Sequence, residues 1–278
     1  MTDVTDAKEA DRALKARHAK MWALGSYDTV ATEIIPALGP VLVDATGVKA
    51  GDRVLDIAAG SGNASLPAAR AGAQVVASDL TPELVELGRG HTASAGLAID
   101  WQVADAEALP YPDGSFDVAI SLVGIMFAPH HQASADELVR VTRSGGRIGL
   151  LNWTPEGFIG QMFATMKPYA PPPPPAAQPP PLWGRESHVR ELLGDRVTDV
   201  RATVQSLTID AFPRPEDFRD YFKRHYGPTI TVYASLADQP ERVAALDQEL
   251  ADLAARFGFA DGATTMDWEY LVFTATRA

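Results

Sequence analysis

Three features of this 278-residue chain predict an α/β fold built on a Rossmann-like sheet. A short apolar strand runs into a glycine-rich turn at residues 54–62. Strands and helices then alternate as far as residue 153, and carboxylates stand at the ends of the first three strands. Parallel strands need a long crossover, usually a helix, so this alternation argues for a parallel sheet covered on both faces.

The elements follow in order. Residues 7–22 read as a charged helix, succeeded by Gly25 and an amphipathic piece through Val30, Ile34, Ile35 and Leu38. Gly51 and Asp52 punctuate a strand over 53–58, and QVVAS at 74–78 is the second strand. A helix over 81–95 takes Thr81 as N-cap and Pro82 at its first position, where a missing N–H costs nothing. Residues 99–103 and 116–121 are the third and fourth strands. A helix over 133–142 stops at Gly145-Gly146, and RIGLLNW at 147–153 is the fifth strand.

Beyond residue 154 the pattern loosens. Nine of the 21 prolines fall within residues 168–181. Such a run lacks backbone donors, favours polyproline II and is excluded from an interior strand; a stiff lid or rim is expected. A short helix over 186–193 and a long strand within 197–209 come next. The insert that follows holds two helices, 216–226 with Phe218, Tyr221, Phe222 and Tyr226 on one face, and 241–257 with an apolar stripe. That aromatic face is expected to be packing more than acceptor wall. Residues 268–276 read as the last strand. The expected organisation is a helical cap (1–44), a core (45–155), a helix and proline-rich lid (156–181), further core (182–209), a helical insert over the site (210–266) and a final strand (267–278).

Composition narrows the function. A net charge of −12 repels an extended phosphate backbone, so a nucleic-acid substrate is disfavoured. The chain has no cysteine, which removes thiolate catalysis, disulfides and cysteine-ligated metals. No stretch approaches the roughly 20 apolar residues of a membrane span, and residues 1–20 have no apolar signal core. A cytoplasmic monomer or homodimer without a membrane partner is expected.

The chemistry is concentrated in VLDIAAGSGNASLPAA at 54–69. Glycines there let the backbone turn sharply and approach a ligand closely, as nucleotide-binding Rossmann units also require. Asp56 separates the possibilities. A carboxylate at the strand end repels a pyrophosphate but favours the ammonium and sulfonium of S-adenosylmethionine (SAM). Ser65 also stands where the dinucleotide fingerprint wants its third glycine. The simpler alternative is that Asp56 caps the turn. Asp79, 23 residues later, is placed to accept hydrogen bonds from ribose hydroxyls, or else is an exposed turn aspartate. Asp105, in Asp105-Ala106-Glu107, is placed to accept from an adenine amino group, with Ala106 and Leu109 as an apolar edge.

VLDIAAGSG, SDLTPELVELGR, ADAEALPYPDGSFDVAI and ELVRVTRSGGRIGLLNW together resemble the class I SAM-dependent methyltransferase superfamily. Within it, the chain is similar to the ubiquinone/menaquinone C-methyltransferase type of domain, over about residues 50–153. The resemblance implies a seven-stranded sheet with an antiparallel last strand, and SAM as cofactor with S-adenosylhomocysteine as product. It implies that Asp56, Ala58, Gly60 and Gly62 line the methionine end, Asp79 and Leu80 the ribose, and Asp105 and Ala106 the adenine, with Ser121 closing the pocket. Ala58 departs from the family, which usually has glycine there.

Other candidates are softer. Trp22 and Tyr27 are expected to touch the SAM methionine or the acceptor, with core packing as the alternative. His130 follows strand four and is the candidate base for an acceptor proton; the adjacent His131 points elsewhere, and no metal site is expected. The expected function is methyl transfer to an oxygen, nitrogen or carbon of a small-molecule acceptor. The alternatives are a non-catalytic SAM-binding regulatory or assembly protein, which a filled space opposite Gly60 would favour, and a nicotinamide-dependent oxidoreductase.

Overall fold

The structure, a computed structural model, describes residues 2–174, 176–259 and 264–278, with the side chains of the first helix described from Glu9 onward. The chain opens with α1 (Thr2–Trp22), a short α2 (Tyr27–Thr29) that continues as a widened turn over Val30–Ile34, and α3 (Leu38–Thr46). The Rossmann-like part follows as β1 (Arg53–Ile57), α4 (Ser65–Arg70), β2 (Gln74–Asp79), α5 (Pro82–Ser94), β3 (Ile99–Val103), β4 (Phe116–Leu122), α6 (His131–Val141) and β5 (Thr142–Trp153). Then come α7 (Phe158–Met166), α8 (Glu186–Leu193), β6 (Val197–Ile209), α9 (Pro215–His225), α10 (Gly227–Ser235), α11 (Pro240–Phe257) and β7 (Met266–Arg277).

All seven strands form one sheet in the order β3-β2-β1-β4-β5-β7-β6. The pairs from β3 to β5 are parallel, whereas β7 runs antiparallel to both β5 and β6. The order reverses between β1 and β4, which is the switch point where a doubly wound sheet leaves a crevice for a ligand. Val54, Leu55, Ile57, Val118, Ala119, Ile120, Leu150 and Leu151 are buried on the central strands. Continuous apolar runs of this kind are what a parallel strand covered on both faces needs. Each such Leu or Ile contributes about 1.5–3 kcal/mol by leaving water.

Several boundaries differ from the sequence reading for identifiable reasons. α6 stops at Val141, and β5 begins at once and carries Gly145-Gly146 through an irregularity opposite Phe116 and Val118. Gly145 has φ +68°, and a Cβ on Gly146 would lie 3.0 Å from the Asp117 carbonyl oxygen, so both glycines serve the strand. α10 is a third helix in the insert. Its sequence GPTITVYAS has weak helix propensity, and buried Pro228, Thr229 and Val232 hold it by packing. The Thr81 side chain does not cap α5; the Thr81 N–H instead donates to Asp79 Oδ1 at 2.8 Å, and Thr81 Oγ1 is buried without a partner.

The insert meets the N-terminal segment directly. Ser26 N–H donates to the His225 carbonyl, and a Cβ on Gly227 would lie 2.1 Å from the Met21 carbonyl oxygen. The proline segment reaches the loop after β4 through Gln178 N–H, which donates to the Pro129 carbonyl at 3.0 Å. No single described helix is long and apolar enough to cross a membrane.

Packing beneath the first turn gives a test. Trp101 of β3 is buried with its ring against Gly88 of α5, where a Cβ would come within 2.2 Å of the ring. Gly88→Ala is therefore expected to cost about 1–3 kcal/mol by overpacking. Urea unfolding would show a lower midpoint at an unchanged slope; an unchanged midpoint would contradict this packing.

Candidate functional site

β1 ends at Ile57, and the chain turns through Ala58 (φ +54°), Gly60 (φ +56°) and Gly62 (φ +106°) before α4. Ala58 holds a left-handed conformation that glycine adopts more easily, at a cost of roughly 1 kcal/mol. Its methyl group is accommodated by Gly124 across the sheet, where any Cβ would lie 2.8 Å from that of Ala58. The turn is fixed from outside by Asp79 at the tip of β2. Asp79 Oδ2 accepts from Gly60 N–H at 2.8 Å, and Oδ1 from Thr81 N–H at 2.8 Å. It is 7% exposed, so the exposed-turn alternative does not describe it. Burial raises its pKa, opposed by these two N–H groups.

Asp56 is 1% exposed. Its Oδ2 accepts from Ser65 Oγ at 2.6 Å, while its Oδ1 is buried with no partner. Burial pushes its pKa up to about 7, with nearby Asp79 adding to the shift and Ser65 opposing it. An orphaned carboxylate oxygen on a cavity-lining residue suits a cationic donor, because an unmet buried acceptor costs about 1–3 kcal/mol.

A cavity opens along the carboxyl ends of β1, β2 and β4. It is lined by Trp22, Tyr27, Asp56, Ala58, Gly60, Asp79, Leu80, Asp105 and Ala106, so the structure brings most of the expected cofactor residues to one wall. Gly62 and Ser121 lie outside the lining. Gly62 faces the Trp101 ring, 3.2 Å from where a Cβ would stand. Ser121 is buried behind the turn, donating to the Ile57 carbonyl at 2.7 Å and accepting from Ile125 N–H at 2.9 Å. Leu109 is also in the core and does not edge the cavity.

Asp105 is already engaged. Its Oδ1 accepts from Glu107 N–H, and its Oδ2 lies 2.7 Å from the Lys15 ammonium of α1. Lys15 also pairs with Asp11 at 2.8 Å and Glu107 at 2.9 Å. Burial favours its neutral form, but these carboxylates outweigh that and hold it above the usual lysine range. Asp11, Glu107 and His130 together have metal-ligand spacing, yet both carboxylates are already paired with the Lys15 ammonium.

His130 is placed differently from the expectation. Its Nδ1 is 2.9 Å from Glu107 Oε2, its backbone N–H donates to Glu107 Oε1, and it does not line the cavity. Pro129 and Ala128 take the wall position, which turns the next side chain toward the acidic cluster. His131 points elsewhere, its Nδ1 lying 3.0 Å from His188 Nε2 beside Trp183. The histidine that does line the cavity is His18, whose pKa burial lowers. Lys15, His18 and Trp22 recur at helical spacing on one face of α1, a stripe that charge alone conceals. Phe127, after β4, also lines the cavity.

The methyltransferase-domain family model matches residues 55–150, the segment that carries the turn and its carboxylates. The fold and this cradle are those of the class I SAM-dependent methyltransferases, and residues 55–150 are a methyltransferase domain of that superfamily. Over its full length it is 51% identical to the uncharacterized protein Rv1403c of Mycobacterium tuberculosis, covering 100% of both chains. It is 38% identical to demethylmenaquinone methyltransferase of Paenarthrobacter aurescens, over 39% of this chain and 41% of that one. The solved structure of the YcgJ protein from Bacillus subtilis shares the fold, with a TM-score of 0.61 at 19% identity, covering 86% of this chain and 97% of that one. SAM is the cofactor, and the residues present fit it. The unpaired Asp56 oxygen suits its ammonium, and the paired carboxylates at the turn exclude a pyrophosphate.

The raised pKa of Asp56 sets the direction of a pH effect. With a folded value of about 7 against 3.8 unfolded, the ligand-free protein binds a proton that the unfolded chain has lost. Its stability therefore falls as pH rises from 4 to 7 through this group. A cationic ligand favours the ionised form, so affinity for S-adenosylhomocysteine is expected to climb with pH up to about 7 and then level. Calorimetric titrations at several pH values would show this, with the dependence flattened in Asp56→Asn. A pH-independent affinity in the parent protein would move the ammonium contact away from Asp56.

Proposed function

We propose that this methyltransferase acts on a small-molecule acceptor. The observation that carries the reading is the cover over the methyl-donor end of the cavity. Tyr27 lies across Gly60, close enough that a Cβ there would be 3.3 Å from its ring, and Trp22 meets Phe127 edge-on at 4.6 Å between centroids. Tyr226, between α9 and α10, backs Trp22 at 5.6 Å. A site roofed by α1 and the insert favours a compact molecule over a polymer. The net charge of −12 further opposes nucleic acid.

When bound, SAM supplies an activated methyl group on a positively charged sulfur. The chain's own residues hold, align and exclude water. Asp56 offers its free oxygen to the ammonium, and Asp79, already fixed by Gly60 and Thr81, keeps lone pairs for ribose hydroxyls. Asp105 has the same capacity toward an adenine amino group, with Ala106 and Leu80 beside it. With the cofactor bound, the methyl group would pass to an acceptor atom and S-adenosylhomocysteine would remain, so the chain's part is to hold that atom in line with the methyl group. Alignment of this kind is the main contribution that a protein makes to such a displacement.

The ring over Gly60 also supports a second reading, in which the chain binds SAM without turning it over. One experiment separates the two: the purified protein with SAM is offered small phenols, amines, quinols and carboxylates, and S-adenosylhomocysteine formation is measured. The first reading expects product above the acceptor-free rate with at least one class. Tight S-adenosylhomocysteine binding with no turnover on any class would favour the second. The placement of His130 adds a further expectation: His130→Ala should retain turnover within about threefold, whereas the loss of about 10²–10⁴ expected for a general base would restore that role.

A further inference from the structure

The two sides of α1 differ in kind. Lys15, His18 and Trp22 line the cavity, and Leu14 is buried. Arg12, Ala13, Ala16, Arg17 and Lys20 are exposed to solvent, and Leu24, just past the helix, is 40% exposed. Their spacing keeps the five helical residues on one side. No aspartate or glutamate falls between Asp11 and Asp28. Lys15 is paired with three carboxylates, whereas Arg12, Arg17 and Lys20 form no ion pair among the described residues. The nearest acids in sequence leave this strip cationic. Glu9 is exposed one turn before it, Asp28 is held by His91 at 2.7 Å, and Glu33 lies 3.3 Å from the Tyr221 hydroxyl.

Such a strip is out of keeping with a chain of 36 acidic and 24 basic residues. Exposed cations without partners contribute almost nothing to folding, so the fold does not account for them. Their charge complements an anionic surface. At physiological ionic strength screening acts over about 8 Å, so at contact the strip outweighs the acidic charge elsewhere on the chain. The residues between the cations narrow the choice of surface. Ala13 and Ala16 are small enough to let the helix lie close to a plane, and the Arg and Lys stems can lie along apolar matter while their heads reach phosphates. Leu24 has no use against a nucleic-acid backbone, but an apolar side chain beside a basic strip is what the boundary of a bilayer accepts.

We propose that the outer face of α1 docks on an anionic lipid surface, with Arg12, Arg17 and Lys20 on the phosphate headgroups and Leu24 inserted beneath them. The expectation of no membrane partner rested on the lack of a spanning segment, which does not bear on surface docking. Because the other face of the same helix roofs the cavity, docking sets that roof against the lipid. The proposal concerns the surface alone and stands apart from the chemistry of the cavity.

The test is co-sedimentation of the full chain with vesicles of phosphatidylcholine alone or with about 30% phosphatidylglycerol. At about 0.1 M salt the anionic vesicles are expected to bind at least about tenfold more tightly, and at about 0.5 M salt the difference should vanish. Arg12→Glu, Arg17→Glu and Lys20→Glu together should abolish the preference, while melting stays unchanged because all three side chains are exposed and unpaired. Leu24→Ser should weaken binding by about threefold or more. Should the triple variant not fold, Leu24→Ser and the salt dependence carry the test. Equal binding to phosphatidylcholine alone, or undiminished binding by the folded triple variant, would overturn the proposal. So would either of two rival occupants: a short DNA duplex bound where anionic vesicles are not, or a dimer in sedimentation equilibrium that the triple variant dissociates.

Discussion

Asp79 holds the site together. Its two oxygens accept the N–H groups of Gly60 and Thr81, so one buried carboxylate ties the glycine turn after β1 to the start of α5. Without that tie the Gly60 N–H loses its partner, and Ala58 beside it already sits in a conformation that it does not favour. The charge-assisted bonds also let a carboxylate persist in a buried place, and leave it with lone pairs toward the cavity. Asp56, one strand away, is the complementary case: half satisfied by Ser65 and half open. One carboxylate therefore builds the cradle while the other waits for a cation. Both are needed where the ligand is positively charged, and both oppose a phosphate.

The cover depends on charge as well as on apolar packing. α1 is anchored within its length by Lys15, which pairs with Asp105 and Glu107, and at its end by Trp22 among aromatic rings. The carboxylates Asp105 and Glu107 come from the loop after β3, so the helix is clamped to the β3 side of the cavity. The insert completes the roof through Tyr226 and through the backbone contacts at Ser26 and Gly227. Phe218 and Phe222 have another role, packing on Trp268 and, for Phe218, on Phe158 to join the insert to the sheet. Packing explains those two rings, and Tyr226 links them to the cover, meeting Phe222 on one side and Trp22 and Tyr27 on the other.

The parts of the fold legible in the sequence were those governed by local repetition. Alternating apolar strands and helices between residues 53 and 153 reflect a sheet buried on both faces, and the strand-end carboxylates reflect where such a sheet binds ligands. Where tertiary packing overrides propensity the sequence misleads: α10 has two threonines, a valine and an isoleucine, yet is a helix. Gly145-Gly146 looks like a stop but lies inside β5. His130 illustrates a deeper limit. Its position after β4 was readable, but the direction of its ring is decided by Glu107, which lies 23 residues earlier on another loop. Lys15 and His18 went unrecognised because a charged stripe on a helix normally faces water; here it faces a cavity lined with carboxylates.

The cradle accepts SAM or its product in place of a dinucleotide, and ligand-dependent melting tests this most directly. At a concentration near 100 times its dissociation constant, S-adenosylhomocysteine should stabilise the protein by about 2.7 kcal/mol and raise the melting temperature by several degrees. NADH at the same concentration should leave it unchanged. A shift with NADH and none with SAM or S-adenosylhomocysteine would contradict the assignment of Asp56 and Asp79 to a cationic, phosphate-free cofactor.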